Sequence, residues 1–198
     1  IYYIFFSMKT HISTNTSFLK TYKFENIDLI KECIENVQNK LIIRPSIIVF
    51  GRQCNQNRSI GFFSNDSIGY YYSNQCAKSQ TLTPPLSELL DTINTMFNSD
   101  FNGILVNYYE NGTDYIGDHS DDEKGLSNIG VVSLSYGSVR KFRIKCKKTK
   151  KKIIDISTES STIIHMGGDF QKEFTHGIPI EKKIKLPRWS FTFRKHLI

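Results

Sequence analysis

Along the chain, apolar residues first recur at intervals of three and four and later alternate in short runs. Ile27, Ile30, Ile34, Val37 and Leu41 fall at helical spacing behind Asn26, a residue suited to capping. A stronger helix follows, with Thr83 as cap, Pro84 in the first turn, then Leu86, Leu89, Leu90, Ile93, Met96 and Phe97. Residues 8–38 otherwise read as polar and then helical, and short extended stretches are expected at 42–50 and 68–72. After Phe101 the pattern changes to short runs rich in β-branched and aromatic residues, at 104–109, 131–136, 141–146, 153–156, 162–166 and 190–194. Turn residues such as Asn111-Gly112 and Gly167-Gly168-Asp169 separate them. The expected fold is mainly β with supporting helices, a sandwich or barrel braced on one face.

Composition narrows the class. The 198 residues are 39% hydrophobic and 23% charged, which suits one globular unit and excludes low-complexity and collagenous chains. The longest apolar run, residues 1–6, is too short to span a bilayer and lacks the basic start of a secretory signal, so no membrane association is expected. The first residue is Ile, and Met8 is a possible natural start. Four cysteines without a CxxC pair argue against structural zinc and for reduced thiols in an intracellular compartment. Twenty-six Lys and Arg against nineteen Asp and Glu give a net charge of +7, which favours polyanionic partners and also aids solubility. The lysines at 145, 147, 148 and 150–152, and a second group at 182, 183 and 185, could grip phosphates or form solvated turns.

The chemistry concentrates in four places. In an extended segment His119 and Asp121 project to the same side and can share one metal face. His176, followed by Gly177 and Pro179, is the better sited third ligand, with His165 a competitor. Two histidines and a carboxylate form the facial triad that leaves three positions open on non-haem Fe(II); catalytic zinc usually keeps one. Asn107 and Tyr109 share one face of a strand, and Arg188, Ser190, Thr192 and Arg194 share another. Either arginine alone reads as a surface ion pair, but alternation with Trp189, Phe191 and Phe193 points to a buried polar face that a dicarboxylate would neutralise. Tyr70 and Tyr72 face one way in a strand and could stack a base; they could equally pack a sheet.

Taken in order, NxY at 107–109, DxxGxHxD at 114–121, HxIP at 176–179 and PRxSxTFR at 187–194 resemble the AlkB family of Fe(II)- and 2-oxoglutarate-dependent dioxygenases, in its nucleic-acid alkylation-repair branch. The resemblance is clear from about Phe101 to Lys195 and weaker back to about Pro45. It implies a double-stranded β-helix (jelly roll) over residues 101–198, with residues 1–100 supplying supporting helices and a nucleotide-recognition lid, in a single domain. It implies iron on His119, Asp121 and His176, and 2-oxoglutarate held by Arg188 and Arg194 with Asn107, Tyr109 and Ser190. Ser190 stands where Asn is more typical of the repair branch. Tyr70 and Tyr72 would meet the flipped base, Tyr72 opposite His119, and Glu123 would accept from its amino group.

The implied reaction is oxidative demethylation of N1-methyladenine or N3-methylcytosine in DNA or RNA, consuming 2-oxoglutarate and dioxygen and releasing formaldehyde. Rival expectations are removal of a regulatory RNA methyl mark, protein hydroxylation, a silent nucleic-acid-binding module and a zinc hydrolase. The last has no evident general base and leaves the arginines unexplained. The enzyme is expected to act as a monomer in the nucleus or cytoplasm. Its Asn, Ile and Lys richness fits an AT-rich genome, and a viral source is the expectation.

Overall fold

Two antiparallel sheets face each other, and the candidate residues lie on the surfaces between them. The computed structural model describes residues 7–49, 51–72, 75–122 and 130–196. The larger sheet has seven strands: β1 (Met8–Ser13), β2 (Ser17–Lys23), β13 (Thr162–Gly168), β10 (Val131–Gly137), β15 (Arg188–Arg194), β8 (Gly103–Tyr109) and β5 (Ser59–Phe63), in that spatial order. The smaller has four: β12 (Lys152–Thr158), β11 (Arg140–Cys146), β14 (Phe174–Ile178) and β9 (Ile116–His119). This is the jelly roll that the family resemblance implied, and it satisfies the sandwich or barrel expected from the pattern of short strands. Two hairpins stand apart as two-stranded sheets, β3 (Ser46–Val49) with β4 (Arg52–Asn55), and β6 (Gly69–Tyr72) with β7 (Gln75–Lys78).

Helix α1 (Ile27–Val37) begins as expected: the Asn26 side chain accepts a hydrogen bond from the Leu29 amide at 3.1 Å. Its buried stripe is Leu29, Ile30, Cys33 and Val37, while Ile27 faces solvent and the chain tightens into a short turn before Leu41. Helix α2 (Pro84–Phe97) buries Leu86, Leu89, Leu90 and Ile93. Thr83 precedes it without making a side-chain cap bond. Pro84 and Pro85 bring no N–H to that turn, so the hydroxyl has fewer donors to meet. The two helices pack with Phe63, Ile104, Val132, Leu134, Phe191 and Phe193 on the outer face of the larger sheet. Each of these fully buried side chains stabilises the fold by about 1.5–3 kcal/mol. A second cluster, including Tyr109, Phe142, Ile144, Met166 and Phe174, fills the space between the sheets. A third helix, α3 (Phe170–Glu173), is one turn leading into β14.

Strand β15 explains the alternation of its sequence. All seven residues are buried. Trp189, Phe191 and Phe193 join the helix-side core, and Arg188, Ser190, Thr192 and Arg194 face the cavity between the sheets. The reading of residues 8–38 as polar and then helical is corrected: 8–23 form the β1–β2 hairpin, which extends the larger sheet along β13. Its buried apolar residues are spread thinly over both faces, Ile12 and Leu19 toward the space between the sheets and Tyr22 toward the helices, so no one-sided alternation announces it. Strands from before residue 100 therefore share one sheet with those after it. No helix among the described residues is long and apolar enough to cross a membrane.

Candidate active site

Strands β9 and β14 pair so that His119 stands opposite His176, with ring centroids 4.4 Å apart. Asp121, two residues beyond His119 and just past the end of β9, turns its carboxylate between them. Its Oδ1 lies 3.7 Å from His119 Nε2 and its Oδ2 3.5 Å from His176 Nε2. One ligand atom from each of the three falls within 4.8 Å of the others. An octahedral ion with bonds of about 2.1 Å needs ligand atoms about 3 Å apart, so the three groups would draw inward around it. The Oδ2 atom is buried without a hydrogen bond, as a metal-binding oxygen would be. His165, the competing ligand, lies elsewhere, edge-on to the Phe18 and Phe97 rings.

The surroundings fix these groups. His119 Nδ1 sits 2.9 Å from the Gly117 carbonyl, which assigns the proton to Nδ1 and leaves the Nε2 lone pair facing Asp121. Burial, and then the nearby His176, push the His119 pKa down to about 3, so the ring is neutral at neutral pH. Phe142 stacks on the His176 ring at 5.1 Å and 18°. Burial alone would raise the Asp121 carboxyl; Arg194, then His176 and His119, override it and hold it well below the usual carboxylate range. The Asp121 amide donates to Gln171 Oε1 at 2.9 Å, and the Ser120 hydroxyl donates to the Phe174 carbonyl. On the outside, Lys145 Nζ meets Asp118 and Lys147 Nζ meets Asp122 at 2.7 Å, so part of the lysine run is spent on the carboxylates beside this segment.

The second half of the cavity is built by β8, β15 and β10 in register, with Asn107 opposite Ser190, Ser190 opposite Ser135 and Tyr109 opposite Arg188. Arg194 Nη2 reaches Asp121 Oδ1 at 2.5 Å, and its guanidinium lies 4.7 Å from the Tyr70 ring centre. Arg188 is 2% exposed, donates to Ser135 Oγ at 2.8 Å and leans on the Tyr109 ring at 5.3 Å. Burial pushes its pKa down to about 10, and its Nε and Nη1 are buried without an acceptor. A guanidinium so placed suits a carboxylate ligand. Donor set and orphaned atoms therefore fit ferrous iron at one end of the cavity and a dicarboxylate along it.

Of the residues singled out from sequence, His119, Asp121, His176, Asn107, Tyr109, Arg188, Ser190, Arg194 and Tyr70 all line this one cavity. Tyr70 is 2% exposed and forms its wall beneath Arg194. Tyr72 has its backbone in β6, paired with Gln75, and its side chain lies outside the described residues, as does Glu123 altogether. Two buried arginines carry no periodic signal and escaped the sequence reading. Arg58 donates from Nε to Asn107 Oδ1 at 2.7 Å. Arg140 bonds the carbonyls of Asn111, Asp114 and Pro179 and the Glu181 carboxylate, tying the turn after β8 to the chain that leaves β14.

Comparison with known proteins agrees with this geometry. The sequence pattern of the 2OG-Fe(II) oxygenase superfamily matches residues 17–194. The DNA oxidative demethylase ALKBH2 of Homo sapiens is 25% identical over 184 residues, covering 89% of this chain and 70% of that protein. Its Arabidopsis thaliana counterpart is 33% identical over 178 residues, 76% of this chain and 57% of that one. The human alpha-ketoglutarate-dependent dioxygenase alkB homolog 3 is 32% identical over 120 residues, 56% of this chain and 42% of that protein. This chain thus spans about two fifths to seven tenths of the length of these relatives. The solved structure of OsALKBH1 superposes with a TM-score of 0.63 at 16% identity, covering 95% of this chain and all of that one, which is a likeness of fold.

Proposed function

The chain belongs to the AlkB family of the 2OG-Fe(II) oxygenase superfamily, and from that premise we propose that it removes methyl groups from alkylated nucleobases in DNA or RNA. The observation that carries the reading is the single cavity in which His119, Asp121 and His176 converge beside the buried Arg188 and Arg194. The names of the similar proteins, two of them DNA oxidative demethylases, support the choice of substrate class.

Bound together, ferrous iron, 2-oxoglutarate and dioxygen supply the oxidising power that hydroxylates an N-methyl group, which then leaves as formaldehyde while the cosubstrate becomes succinate and carbon dioxide. The chain's own part is placement and charge. His119, Asp121 and His176 would hold the iron, three protein ligands that suit a site open to cosubstrate. Arg188 and Arg194 neutralise the cosubstrate carboxylates, with Asn107, Tyr109 and Ser190 completing the pocket. Arg194 also contacts Asp121, so one guanidinium spans metal ligand and cosubstrate. Leu105, Phe142 and Met166 supply apolar wall that keeps bulk water from the reacting centre. Tyr72 and Glu123 would meet the base, Tyr72 its face and Glu123 its amino group, whereas Tyr70, expected to share that stacking, is buried beneath Arg194 and supports the wall instead. The acting unit is taken as the monomer. The free thiols of Cys33, Cys54, Cys76 and Cys146 suit a reducing nuclear or cytoplasmic setting.

The test is mass spectrometry of oligonucleotides carrying N1-methyladenine or N3-methylcytosine, single- and double-stranded, DNA and RNA. They are incubated with protein, Fe(II), 2-oxoglutarate and air, beside a His176→Ala control. Replacement of one methyl by hydrogen, dependent on 2-oxoglutarate and absent in the control, is the expected result. Unchanged oligonucleotides throughout, with an intact fold, would overturn the reading.

A further inference from the structure

Arg58 sits in the connection between β4 and β5, one residue before the strand that pairs Ile60 with Asn107. It is 3% exposed, an unusual place for a guanidinium in a linking segment. The turn after β8 reaches this connection too, since the Tyr115 amide donates to the Asn57 carbonyl. Arg58 Nε donates to Asn107 Oδ1 at 2.7 Å, within a buried pair.

The chemistry of that bond fixes more than its length. A carboxamide has one branch that accepts and one that donates, nearly equal in shape. A guanidinium can only donate, so the branch facing Arg58 must be the oxygen. The amide nitrogen is then the branch left to the cavity that Asn107 lines together with Arg188, Ser190 and Arg194. In a pocket built for an anion, an inward N–H attracts the ligand and an inward oxygen repels it. Among the described residues, Arg58 is the donor that tells the two branches apart.

We infer that Arg58 is a positioning residue, which sets the Asn107 amide so that its nitrogen donates to the cosubstrate carboxylate and thereby raises the affinity for 2-oxoglutarate. The inference rests on the cavity being the 2-oxoglutarate site. It makes Arg58 act through Asn107 rather than by its charge alone.

The experiment is titration calorimetry of 2-oxoglutarate into wild type, Arg58→Met, Arg58→Lys, Asn107→Ala and the Arg58→Met/Asn107→Ala double variant. Redox-silent Mn(II) replaces iron, and circular dichroism monitors the fold. Arg58→Met is expected to weaken 2-oxoglutarate about tenfold, as loss of a charge-assisted hydrogen bond would. Asn107→Ala should cost a similar factor, and the double variant no more than Asn107→Ala, because the two act in series. Arg58→Lys, which keeps a donor, should recover part of the loss. If Arg58→Met does not fold, the Arg58→Lys and Asn107→Ala pair gives the same cycle on a milder scale. Multiplicative losses in the double variant, or undiminished affinity in Arg58→Met, would overturn the inference. Absence of 2-oxoglutarate binding by the wild type would instead overturn the assignment of the cavity.

Discussion

Replacing Arg188 by methionine should make the ligand-free protein more stable while abolishing its response to 2-oxoglutarate. Arg188 is 2% exposed with two guanidinium nitrogens lacking an acceptor, and burial pushes its pKa from 12.5 down to about 10. A displacement of that size is a penalty of about 3 kcal/mol on the charged form. Against it stand the hydrogen bond to Ser135 Oγ, about 1 kcal/mol, and the contact with the Tyr109 ring, about 0.5–1 kcal/mol. Methionine fills similar volume without charge, so the ligand-free variant should gain about 1–2 kcal/mol. For a chain of this length that raises the Tm by about 3–6 °C. The assay is thermal unfolding at constant Mn(II), with and without 2-oxoglutarate. At a ligand concentration about one hundred times Kd the wild type should gain about 2.7 kcal/mol and overtake the variant, which should not move. A variant that melts below the wild type without ligand, or rises with it as the wild type does, would refute the reasoning.

The same chemistry at Arg140 should act in the opposite direction. Arg140→Met strips donors from the carbonyls of Asn111, Asp114 and Pro179, and melting should fall by about 6 °C or more; an unchanged Tm would contradict this. Gly112→Ala would put a Cβ 2.0 Å from the Glu181 carbonyl oxygen and 2.9 Å from that of Ile184, both backbone. A loss of about 3 kcal/mol by urea denaturation is expected, and a loss under about 0.5 kcal/mol would show that the two turns are not held together as described. His196, buried against the Phe62 ring, has its pKa lowered to about 4, by burial and then by Arg194. The folded state therefore binds the proton less readily than the unfolded one. Its contribution is full above about pH 6.5 and is lost as pH falls toward 4, by about 3 kcal/mol at most. His196→Gln should flatten the stability curve in that window, and an unaltered slope between pH 6.5 and 4 would remove His196 as its cause.

Much of the cavity was legible because the ligands sit on strands whose alternation is visible. The polar face of β15 reads directly from Arg188-Trp189-Ser190-Phe191-Thr192-Phe193-Arg194, and NxY on β8 puts Asn107 and Tyr109 on the matching side. The pairing that brings His119 opposite His176 was not readable, since β9 and β14 are short and carry polar residues where β-formers would advertise a strand. The β1–β2 hairpin was missed because its core-facing residues are few. Arg58 and Arg140 were missed for a different reason. Each is a lone cation whose partners are a distant side chain or the carbonyls of distant turns, and neither spacing nor periodicity encodes such contacts.

The central claim is that this cavity couples consumption of 2-oxoglutarate to loss of a methyl group from a nucleobase. The most direct measurement counts both products in one reaction, succinate and demethylated base, on the oligonucleotide the protein processes fastest, with Asp121→Asn alongside. The account predicts one succinate for each methyl lost as substrate becomes saturating, with neither product above background in the variant. Demethylation without succinate, or turnover undiminished in Asp121→Asn, would contradict it.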